Sequence, residues 1–353
     1  MLRPVPNSCV RGPNPSDGEN LDSLQNRFKR PMAYDYMTRV SLSRPVTAKE
    51  AARRLDVHKP VAEEAADAYT VFDMNGTYLE VCDASYFQLG WGLLAFIVGF
   101  PGLATVLVTS IFWVLFPEPS IVRSGDQGWF SAAMLALGAI CLAGCAVCIV
   151  LLRKDCFNYR HKSVRFNRKT RMVYAFRHNG PGGVVQVPWD KAFFYVHRQD
   201  SNSAMGGAPT VARCLVLDEG ERVRDTFSFG LRAVNGASEA SDYGRQVLYQ
   251  VQANFEFIRR YMEDGPAGLP PVKEYLRRET SLKNSMRVWF HGLREVGREC
   301  AGLRIFALLV SGPVFVLAFL HYIAQLTSRN PVWPADVEAA CGNNESPVVL
   351  ARA

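Results

Sequence analysis

Three long apolar runs interrupt an otherwise polar and charged chain. They cover residues 91–116, 129–152 and 305–326, and they contain no Asp, Glu, Lys or Arg. An α-helix needs about 20 mainly apolar residues to cross the hydrocarbon core of a bilayer. Each run is long enough to cross, so the pattern predicts a membrane protein with three transmembrane helices.

The second run carries a stripe of small residues. Cys141, Gly144, Cys145 and Cys148 recur in it at helical spacing. Two interpretations compete, namely a metal or redox face and a face against which another helix packs closely. No histidine or carboxylate joins the cysteines to complete a ligand set, so helix packing is favoured. The cysteines outside this run lie far apart, and we expect them to be reduced structural thiols.

The third run ends in a polar cluster formed by His321, Tyr322 and Gln325. An ionisable residue inside a membrane is a functional candidate. A polar residue near the end of a span, however, commonly lies at the membrane interface. The position of the cluster favours this interfacial interpretation.

Basic residues flank the runs asymmetrically. Between residues 153 and 171, eight Lys and Arg residues are opposed by Asp155 alone. The positive-inside rule then places the N-terminus and residues 153–304 in the cytoplasm, and residues 117–128 and 327–353 on the outer side. The basic residues closest to the runs are expected to lie against lipid head groups, and these are Arg153, Lys154, Arg298 and Arg304.

The N-terminal segment, residues 1–86, predicts little regular secondary structure. Its first 30 residues lack apolar periodicity and are expected to be disordered. Thr47 and Glu50 have the spacing of a capping box, which predicts a short helix. Residues 68–81 predict a β-hairpin around the turn signal Asn75-Gly76. Because two strands alone are marginally stable, this hairpin should either join the cytoplasmic domain or pack at the membrane surface.

After the second run the pattern changes to period two. Short alternating segments predict strands at residues 163–166, 172–176, 184–187, 193–197, 211–217 and 222–229. An apolar stripe at helical spacing then predicts an amphipathic helix over residues 238–263. This order is that of a pleckstrin-homology-like antiparallel barrel or sandwich capped by a C-terminal helix, which is an analogy of fold and not of function. Trp189 follows a strand and is predicted to anchor the core.

These patterns give an α+β membrane protein and divide the chain into six units. The units are an N-terminal segment at 1–86, a two-helix membrane hairpin at 87–152, a cytoplasmic β-rich domain at 153–265, a basic and partly helical linker at 266–304, a third span at 305–326, and a tail at 327–353.

No catalytic or cofactor-binding signature is present in the sequence. The histidines show no metal-ligand pair at i, i+4, and no Walker loop, nucleophile elbow or dinucleotide fingerprint occurs. The sequence therefore predicts neither an enzyme nor a cofactor or metal. The basic run at 153–171 adjoins a predicted span, so membrane topology explains it better than nucleic-acid binding does.

Two glycine-containing loops are candidates for partner binding. They cover residues 178–183 and 201–210. Exposed loops on a rigid sheet commonly carry binding residues. The candidate residues are His178, Asn179, Gly180, Gly183, Asn202, Met205 and Gly206.

Several stretches resemble an uncharacterised family of bacterial inner-membrane proteins associated with type VI secretion gene clusters. They are residues 75–81, the Ser85-Tyr86 pair before Gly90-Trp91, residues 166–174, and Val187-Pro-Trp-Asp190. The resemblance covers about residues 70–265, and no catalytic residue is carried over with it. It implies a Gram-negative inner membrane, with residues 327–353 in the periplasm, and an accessory or immunity role beside a secreted toxin.

Two classes of function remain open at this point. The first is a non-enzymatic interaction protein that binds a secretion component or a toxin. The second is an oligomeric transporter or channel component, since three spans alone provide too few helices for a pore. A membrane-anchored lipid-binding module is a further alternative, because basic residues adjoin the predicted spans.

Overall fold

The computed structural model describes residues 32–35, 38–198, 208–235, 238–299 and 303–342. Residues 1–31, which the sequence predicts to be disordered, lie outside the described residues. The candidate loop residues Asn202, Met205 and Gly206 lie outside them as well.

The described residues form β-strands and α-helices, numbered here in chain order. The strands are β1 (Met32–Asp35), β2 (Thr38–Ser41), β3 (Arg54–Leu55), β4 (Val71–Met74), β5 (Tyr78–Cys82), β6 (Ser163–Asn167), β7 (Met172–Phe176), β8 (Val184–Pro188), β9 (Phe193–Arg198), β10 (Ala208–Leu217) and β11 (Val223–Asn235). The α-helices are α1 (Ala48–Ala52), α2 (Trp91–Leu115), α3 (Pro119–Ser124), α4 (Gln127–Asp155), α5 (Asp242–Asp264), α6 (Leu282–Glu299), α7 (Leu303–Thr327) and α8 (Ala335–Cys341).

Three helices, α2, α4 and α7, are long and apolar enough to span a membrane. Helices α2 and α4 pack through the predicted small-residue stripe. The Cys148 side chain lies 3.9 Å from the carbonyl oxygen of Ala95, and a Cβ on Gly144 would lie 2.9 Å from Leu103. The close approach of the two helices therefore accounts for these small residues. The part of the chain that the structure describes contains no group of metal-ligating side chains.

The strands form two larger antiparallel sheets. One has the order β4-β5-β6-β7-β8, and the other has the order β11-β10-β9-β3. Strand β5 pairs directly with β6, from Tyr78 opposite Asn167 to Cys82 opposite Ser163. Both α2 and α4 lie between these two strands in the chain. The membrane hairpin is thus an insertion between neighbouring strands, and the N-terminal hairpin joins the β-rich domain instead of forming a unit of its own.

The two sheets and α5 enclose one aromatic core. Trp189 lies at its centre with 0% exposure, as predicted. Its ring is 5.0 Å from that of Phe194 and 6.1 Å from that of Phe255, and its Nε1 donates to Glu263 at 3.0 Å. In the described residues neither sheet closes on itself, so the domain is two packed sheets covered by a helix and not a closed barrel.

The segment after α7 returns to this β-rich domain. Tyr159 forms a β-bridge with Arg329, and Arg165 pairs with Glu338 at 3.1 Å. Trp333, Val337 and Cys341 are buried against the outer face of β7. Groups in contact lie on the same side of a membrane. This packing conflicts with the prediction that the tail faces the side of the membrane opposite to residues 153–304.

Helix α6 explains how α7 can end beside the domain. It runs antiparallel to α7, so that Ser285 near its start lies 3.0 Å from His321 near the end of α7. The chain thus leaves the domain along α6 and comes back along α7. His321 and Gln325 are fully buried at this junction, although their position in the sequence predicts an interfacial location.

This arrangement predicts that the β-rich domain and the C-terminal tail lie on the same side of the membrane. Alkaline phosphatase fused after Ala353 should give the same activity as phosphatase inserted between residues 201 and 207. An insertion after Gly125, between α3 and α4, should give the opposite activity. Opposite activities at these two sites would contradict the packing of the tail on the domain.

Candidate partner-binding groove

The loop at residues 178–183 turns sharply between β7 and β8. Gly180 and Gly182 have φ angles of +96° and +71°, a region that other residues rarely adopt. The turn lets the N–H of Arg177 donate to the carbonyl oxygen of Gly183 at 2.8 Å. The loop is therefore held by its own backbone at the exposed end of the sheet.

Asn179 ties this loop to the C-terminal segment. Its Oδ1 accepts from the N–H of Val332 at 2.9 Å, and its Nδ2 donates to the carbonyl oxygen of Asn330 at 3.3 Å. Its own N–H donates to the Tyr159 hydroxyl at 3.0 Å. The loop and the segment that follows α7 consequently form one surface.

A groove of about 600 Å³ lies between the loop and the C-terminal segment. The loop, Gln186 of β8 and residues 332–336 line it. Val332 is 64% exposed, so the groove presents an apolar side chain to solvent. Asp336 is the charged side chain among the described lining residues. The groove therefore suits an uncharged or basic ligand.

The free edge of β8 borders the same groove. Strand β8 pairs with β7 and is the last strand of its sheet in the described structure. The N–H of Arg177 bonds to Gly183 across this pair, and facing residues alternate between bonded and non-bonded positions along an antiparallel pair. The N–H and C=O groups of Val184 and Gln186 consequently point away from β7 and can receive another strand.

A buried ionic network supports the C-terminal wall of the groove. Glu80 is 2% exposed and accepts from Ser163, Arg165 and Arg278, each at 2.7 Å. The Arg165 guanidinium carbon lies 4.4 Å from the centre of the Trp333 ring. Burial opposes the charge on Arg165, but Glu80 outweighs this effect and raises its pKa. The network thereby fixes a charged group beneath the groove residue Trp333.

His161 lies beside this network in a neutral state. Its Nε2 is 2.7 Å from the carbonyl oxygen of Arg278. A carbonyl oxygen only accepts, so Nε2 carries the proton and Nδ1 holds a lone pair. Burial lowers the pKa of His161 to about 4. The side chain therefore stays uncharged at neutral pH and has a structural place beneath the tail.

The structure brings together part of the predicted site. Asn179, Gly180 and Gly183 line the groove, and His178 lies exposed at its loop. Of the predicted lipid-facing residues, Arg153 is exposed and Lys154 is half-buried at the end of α4. The side chains of Arg298 and Arg304 lie outside the described ones.

Sequence reasoning missed the opposite wall of the groove. Residues 332–336 lie far from the loop in the chain, and the positive-inside rule places them across the membrane. The sequence Pro331-Val-Trp-Pro334 was a usable signal, because a tryptophan between two prolines is a rigid apolar element that favours packing against a surface.

Part of the chain matches the model of a known protein family. The sequence model of a family of unknown function, DUF6708, matches residues 141–200 and 240–345. These residues include most of α4, strands β6 to β9, helices α5 to α8 and both walls of the groove. No curated protein and no solved structure matches the chain.

Proposed function

We propose that this protein is a membrane-anchored, non-enzymatic binding protein that captures an extended segment of a protein partner along β8. The observation that carries the proposal is the free edge of β8 opening directly onto the groove. An extended peptide can pair its backbone with such an edge, while its alternate side chains enter neighbouring pockets. Backbone pairing supplies affinity, and the groove supplies selectivity.

The way the domain is anchored supports this role. The membrane hairpin leaves the sheet after β5 and returns to it before β6, so the sheet adjoins the span ends directly. Strands β5 to β8, then β9 to β11, then α5 follow one another in the order of the pleckstrin-homology analogy. Such a domain holds its binding loops at a fixed height above the membrane.

The groove also restricts the chemistry of the partner. Its lining offers Val332 as an apolar contact and Asp336 as a negative charge. The preferred partner segment is thus extended, apolar or basic, and free of carboxylates. The resemblance to proteins of type VI secretion clusters makes a secretion component or a toxin the concrete candidate. The charge flanking the spans favours the cytoplasmic face of a bacterial inner membrane.

A backbone-directed pair of substitutions tests this proposal. A photoreactive amino acid at Val332 should form an adduct of defined mass in native membranes. Gln186→Pro removes an N–H that points to the free edge and leaves the bonds to β7 intact. We expect it to reduce adduct yield about ten-fold, because backbone pairing is lost. Gln186→Thr keeps the N–H and should leave the yield unchanged.

The same photoreactive residue at Glu219 provides a control site, since Glu219 is exposed on the loop between β10 and β11. A synthetic peptide matching the captured segment should compete with the adduct at Val332. The proposal fails if Gln186→Pro preserves the adduct, or if the adduct forms equally well at Glu219.

A further inference from the structure

A second concave surface lies where α4 leaves its apolar span. Lys154 in the last turn of α4, Lys162 before β6 and Arg177 after β7 line a cleft of about 220 Å³. All three side chains are half-buried. A cavity of only about 10–15 Å³ holds one water molecule, so this cleft has room for a larger polar group.

The charge of the cleft is strongly one-sided. A narrow extension of it toward the span adds Arg160. Among the described lining residues, four basic side chains face one acidic side chain, Asp83. The Asp83 carboxylate accepts from the backbone N–H of Ser85 at 2.7 Å. The Arg177 guanidinium pairs with Asp225, so its charge is balanced there. Lys154, Arg160 and Lys162 still outnumber Asp83, and this excess positive charge favours an anionic ligand.

Polar and apolar groups are separated within the cleft. Asn158 adds a neutral amide to the basic rim, and one of its two N–H groups is used by the carbonyl oxygen of Lys154. The Ser85 hydroxyl also lines the cleft, but it donates its proton to Asp83. Val164, Ala175 and Phe227 form an apolar floor. A ligand that joins an anionic group to a short apolar part matches this division better than a bare inorganic ion does.

The position of the cleft at the end of the span restricts the class of ligand further. Lys154 belongs to the final turn of α4, so the cleft begins where the apolar helix ends. Phe157 is 65% exposed beside it, and Trp91 at the start of α2 is also exposed. Exposed aromatic residues at a span end mark the head-group level of a bilayer.

We propose that this cleft binds a phosphate ester, and that the ester is the head group of an anionic phospholipid in the adjacent leaflet. The lysines provide charge, the Asn158 amide orients the phosphate, and the apolar floor receives the glycerol part. This site is separate from β8 and the groove. Anionic lipid would hold the domain against the membrane at a defined angle, whatever partner β8 captures.

Lysine reactivity in the intact protein tests the site without any substitution. The full chain is placed in nanodiscs of phosphatidylcholine, with or without phosphatidylglycerol, and acetylation is followed residue by residue. We expect phosphatidylglycerol to slow acetylation of Lys162 at least about five-fold. Lys283 is exposed and lies near the contact of α6 with α7, so it reports the general surface potential and should change less.

A separate arm distinguishes lipid from a soluble ester. sn-Glycerol 3-phosphate is added to phosphatidylcholine nanodiscs and should not protect Lys162. If it protects Lys162 as well as the lipid does, the lipid assignment is overturned. If neither ligand protects Lys162 more than Lys283, the whole site is overturned.

Charge-matched variants provide a second measurement. Lys154→Gln with Lys162→Gln should weaken retention of phosphatidylglycerol about 30-fold by native mass spectrometry. Lys59→Gln with Lys191→Gln removes the same charge from exposed positions outside the cleft and should retain the lipid. Equal retention by the two double variants would show that net charge, and not the cleft, holds the lipid.

Discussion

Replacing Glu80 by alanine should destabilise the β-rich domain by about 3–5 kcal/mol, because the buried Arg165 then keeps only the exposed Glu338 as an ion-pair partner. Arg165 is 3% exposed and cannot reach bulk water in the folded state. The measurement is the alkylation rate of Cys82, which lies on the same strand and is fully buried. The rate should rise by about two to four orders of magnitude, as this loss of stability implies.

A matched double variant distinguishes the effect of an unpaired buried charge from the effect of losing the Glu80 side chain. Glu80→Leu combined with Arg165→Met replaces both charges by apolar groups, and such replacements are often neutral or stabilising. We expect it to restore slow alkylation of Cys82. A slow rate in Glu80→Ala alone would mean that Arg165 is neutralised from another direction and that the network is not structural.

Trp189→Ala should have a comparable effect, since removal of a large core aromatic typically costs about 3–5 kcal/mol. The substitution opens a cavity between both sheets and α5, and it also leaves Glu263 without the indole donor. The measurement is alkylation of the fully buried Cys214 in the intact protein. The intact chain is required because β5, which lies before the membrane hairpin, pairs with β6 after it.

Trp189→Phe is the control for this prediction. It keeps an aromatic ring between Phe194 and Phe255 but loses the hydrogen bond, which is worth about 1 kcal/mol. Cys214 should then react only slightly faster than in the original protein. If Trp189→Ala behaved like Trp189→Phe, the core would have to be centred on other residues.

The hairpin turn and the first helix cap could be predicted from the spacing of neighbouring residues. Asn75 fixed a hairpin turn because its side chain accepts from the backbone N–H groups of Thr77 and Tyr78. Thr47 and Glu50 form the expected capping box at the start of α1. These interactions join residues within three positions of each other, so spacing alone was sufficient to predict them.

The candidate groove was only half predictable. Glycines at 180 and 182 marked an exposed turn, since they supply the positive φ angles that the turn needs. The opposite wall depends on Asn179 bonding to Asn330 and Val332. Contacts between residues so far apart in the chain produce no periodic pattern that a single sequence could reveal.

The basic residues that follow α4 show a similar limit of charge patterns as predictors of topology. The positive-inside rule treats the basic residues beside a span as free charges. In the folded chain Arg165 is neutralised by Glu80, and Arg171 pairs with Asp190 and Glu263. Part of the basic run therefore serves the packing of the domain and is not a purely topological signal.

The hydrophobic pattern was sufficient to predict three helices apolar enough to span a membrane, most of the strands, and a helix covering the β-rich core. These depend on hydrophobic period and turn chemistry, which are properties of neighbouring residues. The pairing of β5 with β6 across the membrane hairpin and the return of the segment after α7 to the domain became visible only in the folded chain. Those outcomes depend on burying apolar faces and ionic groups that lie far apart in the chain, and burial of this kind is a property of the packed molecule.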